Sequence, residues 1–332
     1  MGELEQLRRL GAGLVTAAPP LAADLPRRPW TFIQRWLAAL GISGRALVIA
    51  APALWLTIFF LIPLAIVFQV SLSQSAIRIP PYDPLITSDE GTVQMTLHLS
   101  NFIRLFEDPL YINAYLNSLK IAAISTIFAL LIGYPMAYFI ARSSDRWRNI
   151  LLMLVILPFW SSFLLRVYAW IGMLKNEGII NNVLQGLGLI GAPIQFLQTD
   201  FAVYIGIVYT YLPFMILPLY TNLVKLDDSL LEASADLGSR PWQTFISVTL
   251  PLSIPGIVAG SMLVFIPAIG EYVIPSLLGG SGFLMIGRVL FDEFFSNRDW
   301  PMASALAFAM LIVVVVPIMF LQNAQNAVVS RK

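Results

Sequence analysis

Residues 232–251 read EASADLGSRPWQTFISVTLP, a polar island between two apolar runs at approximately 201–224 and 252–278. Each run is long enough to cross about 30 Å of hydrocarbon as a helix rising about 1.5 Å per residue. The island carries its own start and stop signals. Ser229-Leu230-Leu231-Glu232 has the form of a capping box, in which the Ser hydroxyl accepts from the Glu232 amide and the Glu carboxylate reaches back. Asp227 and Asp228 place negative charge at the same helix start. Gly238 is placed to end that helix in the left-handed conformation. Ser239 then caps a second short helix with Pro241 in its first turn, and Pro251 and Pro255 mark the entry to the next apolar run. The expected shape is a helix–bend–helix projection fixed to two membrane helices. Leu230, Leu231, Ala233, Ala235 and Leu237 give it a small apolar face. A helix lying in lipid headgroups is the alternative, but the island has little basic charge, so a rigid protein-docking element fits better.

The rest of the chain supports a membrane setting. Of 332 residues, 58% are hydrophobic and 12% charged, with a mean hydropathy of +0.78, a balance that indicates a polytopic membrane protein. The net charge of +1 gives no electrostatic case for nucleic acid. The absence of cysteine excludes disulfides, Cys-ligated metal and thiol chemistry, and a single histidine, His98, builds no multi-His metal site. No GxxxxGK[ST] run is present, so the chain has no P-loop of its own.

Six apolar runs predict six transmembrane helices, near 46–71, 117–140, 150–174, 201–224, 252–278 and 303–322. Lysine and arginine orient them. With the N-terminus inside, 13 basic residues fall on the inner side against 7 elsewhere, and the loop ARSSDRWRN (141–149) is the cleanest vote. Both termini and the island are then cytoplasmic. Residues 1–45 read as a cytoplasmic tail rather than a signal peptide, because the leader is long and polar. It carries an interfacial helix around Trp30–Leu40. Residues 46–322 form the transmembrane domain, the island at 225–251 its cytoplasmic loop, and 323–332 a cytoplasmic tail. In the long outer loop 72–116, TVQMTLHL suggests a short strand and SNFIRLFED a short helix capped by Ser100 or Asn101. The second outer loop, 175–200, reads as a short helix pair and turns.

The spacing Glu232-Ala233-Ser234, three residues, Gly238, nine residues, Val248-Thr249-Leu250-Pro251 resembles the EAA loop of ABC-importer permease subunits, with Ser234 and Val248 as conservative departures. Residues 161–182, 202–220, 260–280 and 285–305 are similar to polyamine-importer permeases, most of all to a putrescine permease that pairs with a second, related permease. The resemblance covers roughly 46–322. It implies an all-α membrane protein with the type I ABC importer permease fold in a bacterial inner membrane. By resemblance, Glu232, Ala233, Gly238, Leu250 and Pro251 form the ATPase-docking motif. The implied partners are a second homologous permease, a dimer of ATP-binding subunits and a periplasmic substrate-binding protein. The chain itself is then non-catalytic and without cofactor, ATP and Mg being bound by the partner ATPase. Putrescine is the favoured cargo, with spermidine or another small nitrogenous solute as the alternative. A self-sufficient secondary transporter would need an internal repeat and several intramembrane acids, and would leave the island unexplained.

Glu271, in IPAIGEYVIP, is placed in the outer half of the fifth run among Pro267, Gly270 and Pro275, which suggest a broken helix lining a cavity. A carboxylate there costs roughly 2.5–3.5 kcal/mol on insertion scales, so it faces a cationic substrate, with Tyr272 offering a cation–π face, or else a structural ion pair. Arg166 reads as snorkelling toward the outer headgroups, or as the ion-pair partner of Glu271 or Asp200. Asp292 and Glu293, beside Phe291, Phe294 and Phe295, line the outer mouth or form an amphipathic loop helix that docks a periplasmic partner. Gly256 and Gly260 permit close helix contact.

Overall fold

The computed structural model describes residues 44–89, 92–280 and 282–329. The tail before residue 44, with its expected interfacial helix, lies outside the described residues. The described residues divide into two compact units, with the boundary between Ala65 and Ile66. Its elements are α1 (Gly44–Leu56), a π-helical turn (Thr57–Leu61), α2 (Ile62–Ser71), the hairpin β1 (Ile86–Asp89) and β2 (Thr92–Met95), then α3 (Ser100–Glu107), α4 (Pro109–Arg142), α5 (Asp145–Ile156), α6 (Phe163–Leu174) and α7 (Ile179–Gly186). They continue with α8 (Asp200–Leu223), α9 (Asp228–Asp236), α10 (Pro241–Thr244), α11 (Leu250–Ile269), α12 (Val273–Leu278), α13 (Ile286–Phe291) and α14 (Trp300–Val329). The architecture is helical apart from the antiparallel hairpin, in which Ile86 pairs with Met95 and Asp89 with Thr92. The strand expected in TVQMTLHL is therefore β2, although it ends at Met95.

Among the described residues four stretches are long and apolar enough to cross a membrane: Val48–Ser71, Pro109–Arg142, Asp200–Leu223 and Pro241–Ile269. Trp300–Val316 is a shorter apolar helix. The run expected as one straight span over 150–174 is instead two arms, Asp145–Trp160 and Phe163–Gly186, meeting at 91°. The cause is local. Pro158 lies in a single 3-10 turn, Leu157–Trp160, where it lacks an N–H and restricts the residue before it. Ser161 and Ser162 follow with extended, non-helical ψ, and the Ser161 hydroxyl donates to the Pro158 carbonyl at 2.7 Å.

Two expectations for the outer loops also change. Neither Ser100 nor Asn101 caps α3; its N-cap is Leu99, which makes no side-chain bond. Asn101 instead donates to the carbonyls of Ser71 and Ser73, both at 2.9 Å, tying α3 back to the end of α2. The second outer loop contains one helix, α7, rather than a pair.

Helices α4, α8 and α11 pack together as the centre of the domain. Small residues set their spacing. A Cβ at Gly260 would stand 2.9 Å from Met215 Sδ and 3.0 Å from the Met215 carbonyl oxygen, and one at Gly256 would stand 2.8 Å from Asn222 Cβ. A Cβ at Gly206 would meet Ile274 Cγ2 and Leu278 Cδ1, both at 2.7 Å, where α12 rests on α8. Gly260→Val should therefore destabilise the detergent-solubilised protein by about 1–3 kcal/mol, the usual cost of overpacking. Gly172→Val, where a Cβ meets nothing within 4 Å, should stay close to wild type apart from helix propensity. Thermal unfolding of the two variants side by side checks this, and equal melting would contradict the packing argument.

Candidate functional site

The island is two helical arms, and its caps differ from those the spacing suggests. Asp227, not Ser229, is the N-cap of α9, its Oδ1 accepting from the Ser229 amide at 3.0 Å. An aspartate two residues earlier reaches the same free amides, so no Ser229 box is needed. That amide, together with the Ser229 hydroxyl, holds the Asp227 carboxyl below its usual range. The cap's contribution is therefore present above the ordinary carboxylate value and is lost as pH falls through the lowered one. Arg240, not Ser239, is the N-cap of the second arm, with Pro241 at its first position and its amide donating to Gln243 Oε1 at 2.8 Å.

Gly238 has φ +80°, the left-handed cap expected of it, with open space where a Cβ would sit. Glu232 and Ala233 are exposed, and Leu237 beside Gly238 is 87% exposed. Leu250 is half-buried and Pro251 exposed.

Pro251 stands second in α11, at the entry to the apolar run as expected, but no break separates α11 from the second arm. Residues 241–269 form one continuous helical stretch. A π-helical turn, Phe245–Thr249, ends two residues before Pro251, and such a turn shifts the hydrogen-bond ladder close to a residue that has no N–H to donate. The arms are locked together by the Ser234 and Thr244 hydroxyls, 2.9 Å apart, with Ser234 buried. They are tied to α4 by the ion pair Arg142–Asp228 and by Phe245, edge-on to Tyr134 at 5.6 Å. Ser234→Ala should weaken the lock by about 1 kcal/mol, one hydrogen bond's net contribution. Hydrogen exchange should then rise in 228–244 but not in α8, and unchanged exchange would show the lock to be unimportant.

At the other end of the 29-residue stretch Pro241–Ile269, about 43 Å long, the helix breaks at Gly270 and Glu271 follows. Glu271 is 9% exposed. Its Oε2 accepts from the Tyr211 hydroxyl at 2.5 Å. Its Oε1 accepts from the amides of Val273 and Ile274 at 3.2 and 3.4 Å. The carboxylate thus closes the free amides of the half-helix α12, where a negative charge is favoured. Tyr211 lies 11 residues into the 24-residue helix α8, so the Glu271 carboxylate is held against the middle of that helix's length. Among the described residues it has no ion-pair partner. Tyr272 stacks on Phe291 with centroids 4.1 Å apart and planes at 16°, which covers one of its ring faces.

The acidic pair downstream separates. Glu293 is 8% exposed and accepts from the Tyr111 hydroxyl at 2.8 Å and from Asn297 Nδ2 at 2.9 Å. It braces α4 against the turn after α13 and does not line a mouth. Asp292 is partly exposed, 4.0 Å from Arg288 Nε.

Arg166 forms no ion pair with Glu271 or Asp200 among the described residues. Its guanidinium lies over the rings of Phe159 and Phe163, 5.2 and 5.8 Å from their centroids. Sequence reasoning missed Tyr211, Phe159 and Phe214; the density of aromatics in YTYLPF (209–214) was the signal for Tyr211 and Phe214. A cavity of about 740 Å³ between α4, α6 and α8, walled by Phe128, Trp170, Tyr204 and Tyr209, has no carboxylate in its lining and does not suit a diammonium ligand.

A family model described as binding-protein-dependent transport system inner membrane component matches residues 129–332. The chain is 40% identical over 278 residues to the spermidine/putrescine transport system permease protein PotB of Haemophilus influenzae, covering 84% of this chain and 92% of that protein. It is 40% identical over 259 residues to PotB of Escherichia coli K12, covering 78% and 90%. It is 35% identical to the inner membrane ABC transporter permease protein YdcU of the same bacterium, covering 71% and 80%. Its fold is similar to a chain of a bacterial ABC transporter involved in the import of alginate, with TM-score 0.65 and 19% identity over 90% of this chain and 98% of that one.

Proposed function

Since the chain belongs to the family of binding-protein-dependent transport system inner membrane components, a non-catalytic permease of the inner membrane, we propose that it carries polyamine inward as one of two permeases, driven by ATPase subunits that seat on residues 228–244. The observation that carries this reading is the two-armed island itself. Glu232, Ala233 and Leu237 are exposed around a left-handed Gly238, on a projection braced to α4 and continuous with the helix that ends at Glu271. Such a projection transmits a push; a headgroup helix needs neither brace nor continuity.

In this reading ATP binding closes the ATPase pair and draws the two islands together. Each push travels along the stretch Pro241–Ile269 to the break at Gly270, where the helix no longer resists bending. Glu271 and the Tyr272 ring receive an ammonium group, the carboxylate exchanging the Tyr211 hydroxyl for the substrate. Asp292 supplies negative charge outside. A periplasmic binding protein delivers the cargo, and ATP and Mg belong to the ATPase. Putrescine is the favoured cargo on the stretches noted above, and spermidine the alternative that the names of the PotB relatives support.

The test is reconstitution. The chain, its companion permease and the ATPase should co-purify, and in proteoliposomes supplied with binding protein should take up labelled putrescine or spermidine only with ATP. Uptake by this chain alone, driven by an ion gradient, would instead identify a secondary transporter.

A further inference from the structure

The aromatic groups around Glu271 continue past it. The ring of Tyr211, whose hydroxyl donates to Glu271, lies 6.1 Å from that of Phe214. Phe214 meets Phe159 edge-on at 5.3 Å. The Arg166 guanidinium carbon stands 5.2 Å from the centre of Phe159 and 5.8 Å from that of Phe163. This row of rings therefore has a carboxylate at one end and a cation at the other. We infer that Arg166 is a tethered cation plug, its guanidinium occupying an aromatic seat on the route to Glu271, barring small cations and yielding the seat to a substrate ammonium group. The inference rests on the proposed route through Glu271.

Three observations carry it. The first is depth. Tyr211 and Phe214 are 11 and 14 residues into the 24-residue helix α8, and the guanidinium is held against the ring that touches Phe214. It has not snorkelled to a headgroup, as a long side chain free to do so would. A guanidinium left inside the membrane marks a functional position by default.

The second is its solvation. Among the described residues no carboxylate bridges it, and its Nε is buried with no hydrogen-bond partner. An arginine kept for stability is ordinarily paired through its fork of donors. Here two ring faces stand against the guanidinium, and they attract any cation by the same quadrupole, an alkylammonium included. The guanidinium so displays the chemistry of the seat.

The third is position. Arg166 lies within the first turn of α6, just beyond the 91° break. The 3-10 turn and two non-helical serines there form a natural hinge, so α6 can carry the guanidinium off the rings. A fixed arginine raises an electrostatic barrier to cations, and one that moves aside makes that barrier conditional.

The experiment uses the full complex in liposomes without ATP, with passive entry of methylammonium and K⁺ as the readout. Arg166→Gln should raise that entry about tenfold over wild type, equivalent to about 1.4 kcal/mol of barrier. Arg166→Lys, which keeps the charge, should stay near wild type and still support ATP-driven uptake. A Phe159→Leu/Phe163→Leu variant removes the seat instead of the cation and should leak as Arg166→Gln does; if Arg166→Gln fails to assemble, this variant decides. Tight membranes with both variants, in complexes that still take up polyamine, would overturn the plug. A leak in Arg166→Gln alongside a wild type that takes up no polyamine would defeat the cargo reading and leave the plug standing.

Discussion

Glu271→Gln is expected to cut ATP-driven polyamine uptake by about one to two orders of magnitude while leaving the complex assembled. The substitution is nearly isosteric. Its amide oxygen still accepts from the amides of Val273 and Ile274, as Oε1 now does, and its nitrogen can donate to the Tyr211 hydroxyl. Only the charge disappears. A hydrogen bond to a charged group contributes about 1.5–3 kcal/mol, which corresponds to roughly 10–150-fold in affinity or rate. Tyr211→Phe removes the hydroxyl that now occupies Oε2 and keeps the charge, so uptake should persist with an altered KM. Glu271→Ala loses both charge and cap, and should in addition lower the melting temperature. Uptake by Glu271→Gln equal to wild type would leave Glu271 as the cap of α12 and nothing more.

The second large effect is expected at the turn of the island. Gly238 has φ +80° with open space around its Cα, so a side chain there meets backbone strain rather than a clash. Valine in that conformation costs about 1–2 kcal/mol and is β-branched, whereas asparagine adopts it readily. Gly238→Val should lose ATPase co-purification and uptake together, and Gly238→Asn should retain both. Glu232→Ala changes an exposed position on α9 and should leave folding intact, since such surface changes stay within about 0.5 kcal/mol. If Glu232 anchors the ATPase, its loss should weaken docking by about 2 kcal/mol or more, the threshold of an interface hot spot and roughly thirtyfold in affinity. Normal ATPase recovery from both Gly238→Val and Glu232→Ala would remove the island from the coupling path.

Much of this molecule was legible because it is local. The left-handed Gly238, the placement of Pro241 and the break at Gly270 each follow from one residue's backbone chemistry. The apolar runs follow from composition. Errors arose where two local solutions competed. Asp227 and Ser229 both suit the start of α9, and the aspartate takes the amide. Pro251 marks the entry to the apolar run as expected, but the adjoining π-turn joins that run to the second arm without a break. Pro158 was passed over inside an apolar run, although it bends that run by 91°.

The amino-acid order by itself determined a multi-span helical membrane protein of the permease family, with a structured island between two of its spans, because hydrophobic length and caps are properties of neighbouring residues. Only the tertiary structure decided what the isolated charges do. Glu271 meets Tyr211 from 60 residues away and Glu293 meets Tyr111 from 182. Arg166 turns onto Phe159 because the chain folds back at a serine pair. A charge in an apolar medium takes whatever compensation packing brings within a few ångströms, and helical periodicity carries no record of which distant helix that will be.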